Sequence, residues 1–168
     1  MSIHIHPPGE ADLPRIREVL SASFPTAAEA DLAERLGADG HLAISLVATV
    51  DDAVVGFVGF SRMAVTADGE AVRALGLGPV AVLPDQRRRG IGERLIQQGL
   101  AAANGRGVSL VFVTGDPDFY GRFGFRRETA APFASIYQGP HLLAQWLSRP
   151  RVPAAGTADY PPAFAALG

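Results

Sequence analysis

The sequence predicts a single mixed α/β domain with the element order βααβββαβαβ, followed by an irregular tail from about residue 149. Three observations predict this class. Residues 10–40 carry two helical patterns, residues 41–84 read as long strands separated by turns, and residues 87–107 form a helical pattern between two strand-like runs. The chain holds no internal repeat and no second hydrophobic unit, so we expect one domain over residues 1–168.

The first 40 residues predict a short strand and two helices. The stretch "SIHIHP" alternates with a period of two and ends at Pro7-Pro8, which indicates a strand. His4 and His6 share one face of it, but no third ligand stands nearby, and no metal site is predicted. The first helix ends at Phe24-Pro25, and the second has Thr26 as its predicted N-cap. Helical spacing defines the apolar face of the first helix: Leu13, Ile16, Val19 and Leu20.

The middle of the chain predicts strands followed by one long helix. Two β-rich runs flank Asp51-Asp52, as in a hairpin with a tight turn, and "TADGE" marks a second turn before a third long strand. The helix that follows stops at Asn104-Gly105. Residues 108–113 are continuously apolar, as expected of a strand covered on both faces. The apolar stripe of the helix consists of Ile91, Leu95, Ile96, Leu100 and Ala103.

The last third predicts short elements. A short helix is expected around Pro117, a strand near Gly124-Phe125, and a final strand within residues 141–148. Trp146 would shape either an acceptor site or a dimer contact, and the sequence leaves both open. Four aromatic side chains are assigned to the core by default: Phe57, Phe60, Phe112 and Phe119.

Composition excludes several kinds of chemistry. The chain has no cysteine, so disulfides, thiolate metal sites and cysteine nucleophiles are absent. It also has no lysine, which removes a P-loop lysine or a Schiff base. A net charge of -2 argues against general nucleic-acid binding. The first residues lack the apolar core of a signal peptide, and no apolar stretch has the length of a membrane span, so we expect a cytoplasmic protein without membrane contact.

A cluster of arginines and glycines joins the third long strand to the long helix. Arg87, Arg88 and Arg89 precede Gly90 and Gly92. Unpaired N–H groups and the helix dipole favour an anion at such a helix start, and glycine lets the backbone approach its oxygen atoms. The alternative is a solvated basic turn.

Two other phosphate-binding motifs fail on this sequence. A P-loop requires the missing lysine. The glycines Gly76 and Gly78 resemble a dinucleotide fingerprint, but Pro79 and a β-rich run follow them where that fingerprint requires a helix. Neither motif explains the arginine–glycine turn.

The segment Arg87 to Gly92 matches the R/Q-x-x-G-x-G/A motif of the GNAT acetyltransferase superfamily. The strand before it, "VAVLP" at residues 80–84, is similar to the V-x-V-x-P of that family, and "DFYGRFGF" at 118–125 resembles its short helix with a tyrosine. The chain therefore resembles this family over residues 3–130 by element order and 72–128 by motif.

The resemblance implies a GNAT fold and acetyl-coenzyme A as co-substrate. The fold would have one central, mostly antiparallel sheet with a splayed parallel strand pair, flanked by helices. Backbone amides of the turn would wrap the pyrophosphate, and the strand would pair with the pantetheine arm at a break near Gly78-Pro79. The implied cofactor-binding residues are Val80, Ala81, Val82, Arg87, Arg88, Arg89, Gly90, Ile91 and Gly92.

The resemblance also implies roles at the thioester. Tyr120 matches the tyrosine that protonates the leaving thiolate, and the backbone N–H of Val82 would polarise the carbonyl oxygen. The asparagine that the family often carries before the tyrosine is missing. The general base stays open among residues that could border an acceptor pocket, namely Glu29, Asp31, His41, Asp68 and Glu70.

The expected function is N-acetyl transfer from acetyl-coenzyme A to a primary amine, carried by a small molecule or a peptide. A GNAT-fold module that binds acyl-coenzyme A without catalysis is the alternative, and a basic-turn module for nucleic acid or protein is a third class. The acceptor and the oligomeric state, with a homodimer among the options, stay open.

Overall fold

A computed structural model describes residues 2–167. Short 3₁₀ turns lie at Glu10–Asp12, Pro84–Gln86 and Pro162–Leu167. The helices are α1 (Leu13–Ser23), α2 (Ala28–Ala38), α3 (Ile91–Gly105), α4 (Pro117–Gly121) and α5 (Arg127–Ala130). The strands are β1 (Ile3–His6), β2 (Leu42–Val50), β3 (Ala53–Ala67), β4 (Glu70–Val82), β5 (Leu110–Thr114), β6 (Phe133–Ala134), β7 (Leu142–Trp146) and β8 (Gly156–Asp159).

The strands form one sheet in the order β1-β2-β3-β4-β5-β7. Neighbours along this path are antiparallel except for β4 and β5, which are parallel. β3 and β4 form a long hairpin that extends past β2, and β8 pairs with β3 along the extension at residues 64–67. The predicted mixed, mostly antiparallel sheet with one parallel pair is confirmed.

The parallel pair separates at Gly78. Its register runs from Ala74 opposite Leu110 to Leu77 opposite Val113 and then stops. Gly78 has a φ of 139°, a conformation that side chains rarely adopt, so glycine is required there. β4 continues beyond this point while paired on its other side to β3. The edge of residues 79–82 that faces β5 is therefore outside the ladder, as predicted from the Gly-Pro pair.

Helices cover both faces of the sheet. On one face, Val19 and Leu20 of α1 pack with Phe57 and Ala81, and α2 adds Ala30. On the other face, α3 buries the predicted stripe, except that Leu100 is half-buried. Phe57, Phe60 and Phe112 are core residues as predicted, with exposed fractions of 2%, 0% and 0%.

Two predicted turns and one predicted helix end are confirmed. Asp51-Asp52 and Asp68-Gly69 all have positive φ, the conformation of the type I′ turns that suit the twist of hairpins. α1 ends at Ser23, directly before Phe24-Pro25. The prediction for Thr26 was wrong by one position: the N-cap is Ala27, and the Thr26 hydroxyl accepts a hydrogen bond from the Ala28 N–H at 3.2 Å.

The prediction of an irregular tail from about residue 149 was wrong. It carries β8 and the turn Pro162–Leu167, and Asp68 Oδ1 accepts hydrogen bonds from the N–H groups of Ala154 and Ala155 at 2.9 and 3.2 Å. The strand edge that β8 uses exists because β3 is longer than β2, a tertiary feature that no local pattern in the tail records.

The prediction of a strand near Gly124-Phe125 was wrong, because within residues 2–167 this segment forms no strand. That segment forms one isolated bridge, between Arg126 and Ala144, before α5 begins. The strand predicted within residues 141–148 is confirmed as β7, although β8 follows it.

Candidate functional site

The turn between β4 and α3 contains two residues in the left-handed region. Arg88 has a φ of 67° and Gly90 a φ of 75°, and Gly90 is the N-cap of α3. Within residues 2–167, the N-cap position of this helix carries no side-chain cap. The first N–H groups of a helix have no partner within it, and the helix dipole is positive at this end. The turn therefore offers donors and positive potential to an anion.

A groove of about 350 Å³ lies along this turn and the free part of β4; we call it the cofactor groove. Arg89 is outside its lining, whereas the other predicted cofactor-binding residues line it: Val80, Ala81, Val82, Arg87, Arg88, Gly90, Ile91 and Gly92. The lining residues that the sequence did not predict are Ser23, Phe24, Gln86, Glu93 and Phe119. Phe119, expected in the core, is half-buried and contributes to this wall instead.

The carbonyl of Val82 anchors the turn to the strand. It accepts hydrogen bonds from Arg87 Nε at 3.1 Å and from the Ser23 hydroxyl at 3.2 Å. Arg87 thus contributes to the shape of the groove as well as to its charge. Ser23 stands at the end of α1, and nothing in the sequence pattern marks it as a site residue.

Gly92 is not required by the packing of the protein. A Cβ there would meet Val82 Cγ2 at 3.7 Å, an ordinary van der Waals contact, and no positive φ is involved. The open space above Gly92 is consistent with the close approach of a ligand to the backbone.

A second cavity of about 390 Å³ adjoins the groove; we call it the acceptor cleft. Val80 and Phe24 line both cavities, so the two meet beside the free edge of β4. Tyr120, Tyr137 and Tyr160 line the cleft. A reactant in the groove and one in the cleft would therefore meet near Val80.

α4 presents Tyr120 to the cleft. Pro117 starts this short helix, and the Asp116 carboxylate accepts a hydrogen bond from the Asp118 N–H at 3.1 Å. The Tyr120 ring lies against Gly115, where a Cβ would clash with it. Burial raises the pKa of the Tyr120 phenol above its ordinary value, so the phenol is protonated across the physiological range.

Of the five candidate bases, Glu29 lines the acceptor cleft, and the other four lie outside its lining. Asp31 pairs with Arg17 at 2.9 Å, and Asp68 holds the tail. His41 directly precedes β2, and Glu70 begins β4 at the hairpin turn.

Trp146 lies away from both cavities, close to Phe133 (6.4 Å between ring centroids) and under the Arg151 guanidinium at 5.4 Å. Residues 2–167 contain no cluster of three His, Asp or Glu side chains suited to a metal ion, and His4 and His6 are exposed on β1. No helix in that range combines the length and apolar character needed to cross a membrane.

A strand–turn–helix anion site beside a break between parallel strands is the arrangement expected of an acetyltransferase. The sequence pattern of the acetyltransferase (GNAT) domain matches residues 4–127. The chain is similar to the uncharacterized N-acetyltransferase YhbS of Escherichia coli K12, with 41% identity over 115 residues and 68% of each chain covered. It is 33% identical over 130 residues to YjhQ of the same strain, covering 74% of this chain and 72% of YjhQ.

Two solved structures share the whole architecture. The crystal structure of Escherichia coli YhbS in complex with CoA has a TM-score of 0.87 and 31% identity, covering 99% of this chain and 93% of that one. A GNAT family acetyltransferase from Brucella melitensis in complex with acetyl-CoA has a TM-score of 0.81 and 31% identity, covering 97% and 98%.

The chain belongs to the GNAT acetyltransferase family. The predicted family, fold and class of enzyme, an N-acetyltransferase, are confirmed. The ligands of the two crystal structures agree with the predicted co-substrate.

Proposed function

We propose that the protein transfers an acetyl group directly from acetyl-CoA, bound in the cofactor groove, to a primary amine in the acceptor cleft. The observation that carries this proposal is the meeting of the two cavities at Val80 and Phe24, with Tyr120 in the cleft wall. Each reactant thereby has its own cavity, and the junction has room for reaction between them.

The groove suits the two polar parts of acetyl-CoA. The uncapped start of α3, with Arg87 and Arg88 beside it, would hold the pyrophosphate. The unpaired edge of β4 at residues 79–82 would pair with the amides of the pantetheine arm. The relatives solved with CoA and acetyl-CoA, each 31% identical to this chain, support this assignment.

The transfer needs a nucleophile, a stabilised oxyanion and a proton donor. The neutral amine attacks the thioester carbonyl carbon, and the oxyanion receives a hydrogen bond from the backbone N–H of Val82. The carbon–sulfur bond then breaks, and the thiolate takes the Tyr120 proton. The amide nitrogen releases a proton that restores the phenol. Since the chain has no cysteine, an acetyl-cysteine intermediate is excluded, which favours direct transfer.

The Tyr120→Phe variant tests this assignment. It removes the proton donor but keeps the ring on Gly115. We expect kcat for amine-dependent thiol release to fall about 100-fold, the order associated with one general acid. The dissociation constant for acetyl-CoA, measured by calorimetry, should stay within about threefold, because Tyr120 does not line the groove.

An unchanged kcat in Tyr120→Phe would contradict the role of the phenol. The non-catalytic alternative makes a different prediction: acetyl-CoA binds to the wild type, but no amine releases the thiol.

A further inference from the structure

The acceptor cleft combines aromatic walls with one carboxylate. Aromatic rings come from four parts of the chain, and Leu32 and Leu167 add apolar surface. Glu29 is the charged side chain in the lining, and no arginine or histidine joins it in the part of the chain that the structure describes. The aromatic lining residues are Phe24, Tyr120, Tyr137, Tyr160 and Phe164.

Glu29 differs from the other acidic residues of α2. Asp31 and Glu34 both pair with Arg17, at 2.9 and 3.1 Å. Glu29 makes no ion pair or hydrogen bond through its side chain within residues 2–167 and is half-buried beside the cleft. Its charge is therefore available to a ligand in the cleft.

The three tyrosines add no second charge. Burial raises the pKa of Tyr120, Tyr137 and Tyr160, so all three phenols are neutral at physiological pH. Two of these rings pack together with Phe164: the Tyr160 ring lies 5.3 Å from Tyr137 and 4.8 Å from Phe164 between centroids. Aromatic faces attract a cation and also pack against apolar groups.

We propose that the acceptor is a compact amine with a single cationic group on an apolar or aromatic body; its ammonium group binds at Glu29 and releases a proton to water before the neutral amine attacks. This assignment rests on the proposed function of the site. A carboxylate on the substrate would face Glu29 with no arginine to pair with it, and a second ammonium group would find no second carboxylate in the described lining.

The size and origin of the walls favour a small molecule over a protein segment. The cleft has a volume of about 390 Å³, within the range of small-molecule pockets. Tyr160, Phe164 and Leu167 come from the tail, which packs over α2 and thereby closes one side. An amine on an extended peptide would have to displace these side chains.

A panel of amines at saturating acetyl-CoA tests the class of acceptor. The probes are 2-phenylethylamine, glutamate, spermidine and a lysine-containing hexapeptide, with thiol release as the readout. We expect 2-phenylethylamine to have a kcat/KM at least tenfold above the other three. A higher kcat/KM for glutamate, spermidine or the peptide would overturn the assignment of the acceptor and leave the proposed acetyl transfer intact. If acetyl-CoA binds but no amine releases the thiol, the proposed function fails, and the acceptor assignment fails with it.

Glu29→Gln tests the residue, with Glu34→Gln as matched control on the same helix. We expect Glu29→Gln to raise KM for 2-phenylethylamine at least tenfold while kcat changes less than threefold, because the carboxylate binds the ammonium group. Glu34→Gln should leave both constants within twofold, since its partner Arg17 lies outside the cleft. A lowered kcat with unchanged KM in Glu29→Gln would overturn the binding role, as would equal effects in the two variants.

Discussion

At the scale of the residue, Gly90 and Gly92 occupy one motif for different physical reasons. Gly90 has a φ of 75°, so the backbone conformation of the turn itself requires glycine. Gly92 has an ordinary φ and room for a side chain. A substitution at Gly92 therefore separates ligand binding from folding, which a substitution at Gly90 cannot do.

Gly92→Val should weaken acetyl-CoA binding at least tenfold, about 1.4 kcal/mol, because the new side chain would occupy the space that we propose for the pyrophosphate. The melting temperature should not fall, since valine has a higher helix propensity than glycine. Calorimetry and thermal unfolding check the two expectations.

Gly105→Val, also in α3 and with nothing within 4 Å of its Cβ position, is the control. We expect Arg89→Ala to weaken binding less than Gly92→Val, since Arg89 does not line the groove. Wild-type affinity in Gly92→Val would contradict the role of the backbone in binding.

At the scale of the element, α3 positions the proposed anion site because its apolar stripe fixes the helix against the sheet. Gly99 lies at the closest approach of the helix to β3, where an added Cβ would clash with the ring of the fully buried Phe60. The stripe was predictable from helical periodicity, whereas the close contact at Gly99 depends on which strand lies beneath it.

Gly99→Ala should destabilise the protein by up to about 2 kcal/mol. Overpacking a core costs about 1–3 kcal/mol, and the helix propensity of alanine offsets up to about 1 kcal/mol of this. Urea unfolding of Gly99→Ala and of the control Gly105→Ala measures the difference. A Gly99→Ala protein as stable as Gly105→Ala would show that α3 packs less tightly than described.

At the scale of the whole molecule, the two cavities differ in how far the sequence predicts them. The cofactor groove is built mainly from residues 80–92, where strand, turn and helix follow one another, so local patterns and a motif identify it. The acceptor cleft takes its walls from Phe24 after α1, from α2, β4, β5 and α4, from the segment around Tyr137 and from the tail. Its tail wall depends on the pairing of β8 with β3, in which Thr66 and Thr157 are 91 residues apart. Long-range pairing of a four-residue strand has no local signature, and the tail was predicted irregular for that reason.

The chain has three tyrosines, and all line this cleft with a raised pKa, so stability should fall at alkaline pH. Below about pH 10, the phenols are protonated in both the folded and the unfolded state. Above it, the unfolded state loses protons first, and the free energy of unfolding decreases with pH. Absorbance at 295 nm and circular dichroism should show tyrosinate from Tyr160 appearing together with unfolding. Tyr160→Phe should make the free energy of unfolding depend less on pH. If all three tyrosines ionised near pH 10 while the circular dichroism stayed that of the folded protein, the burial of these side chains in the cleft wall would be contradicted.

Direct transfer requires both substrates to be bound at once where the groove meets the cleft. An initial-rate matrix tests this most directly, with acetyl-CoA and the best amine varied together and thiol release followed in the wild type. The double-reciprocal lines should intersect, because a ternary complex forms before the acetyl group moves. Parallel lines, the signature of an acetyl-enzyme intermediate, would contradict direct transfer.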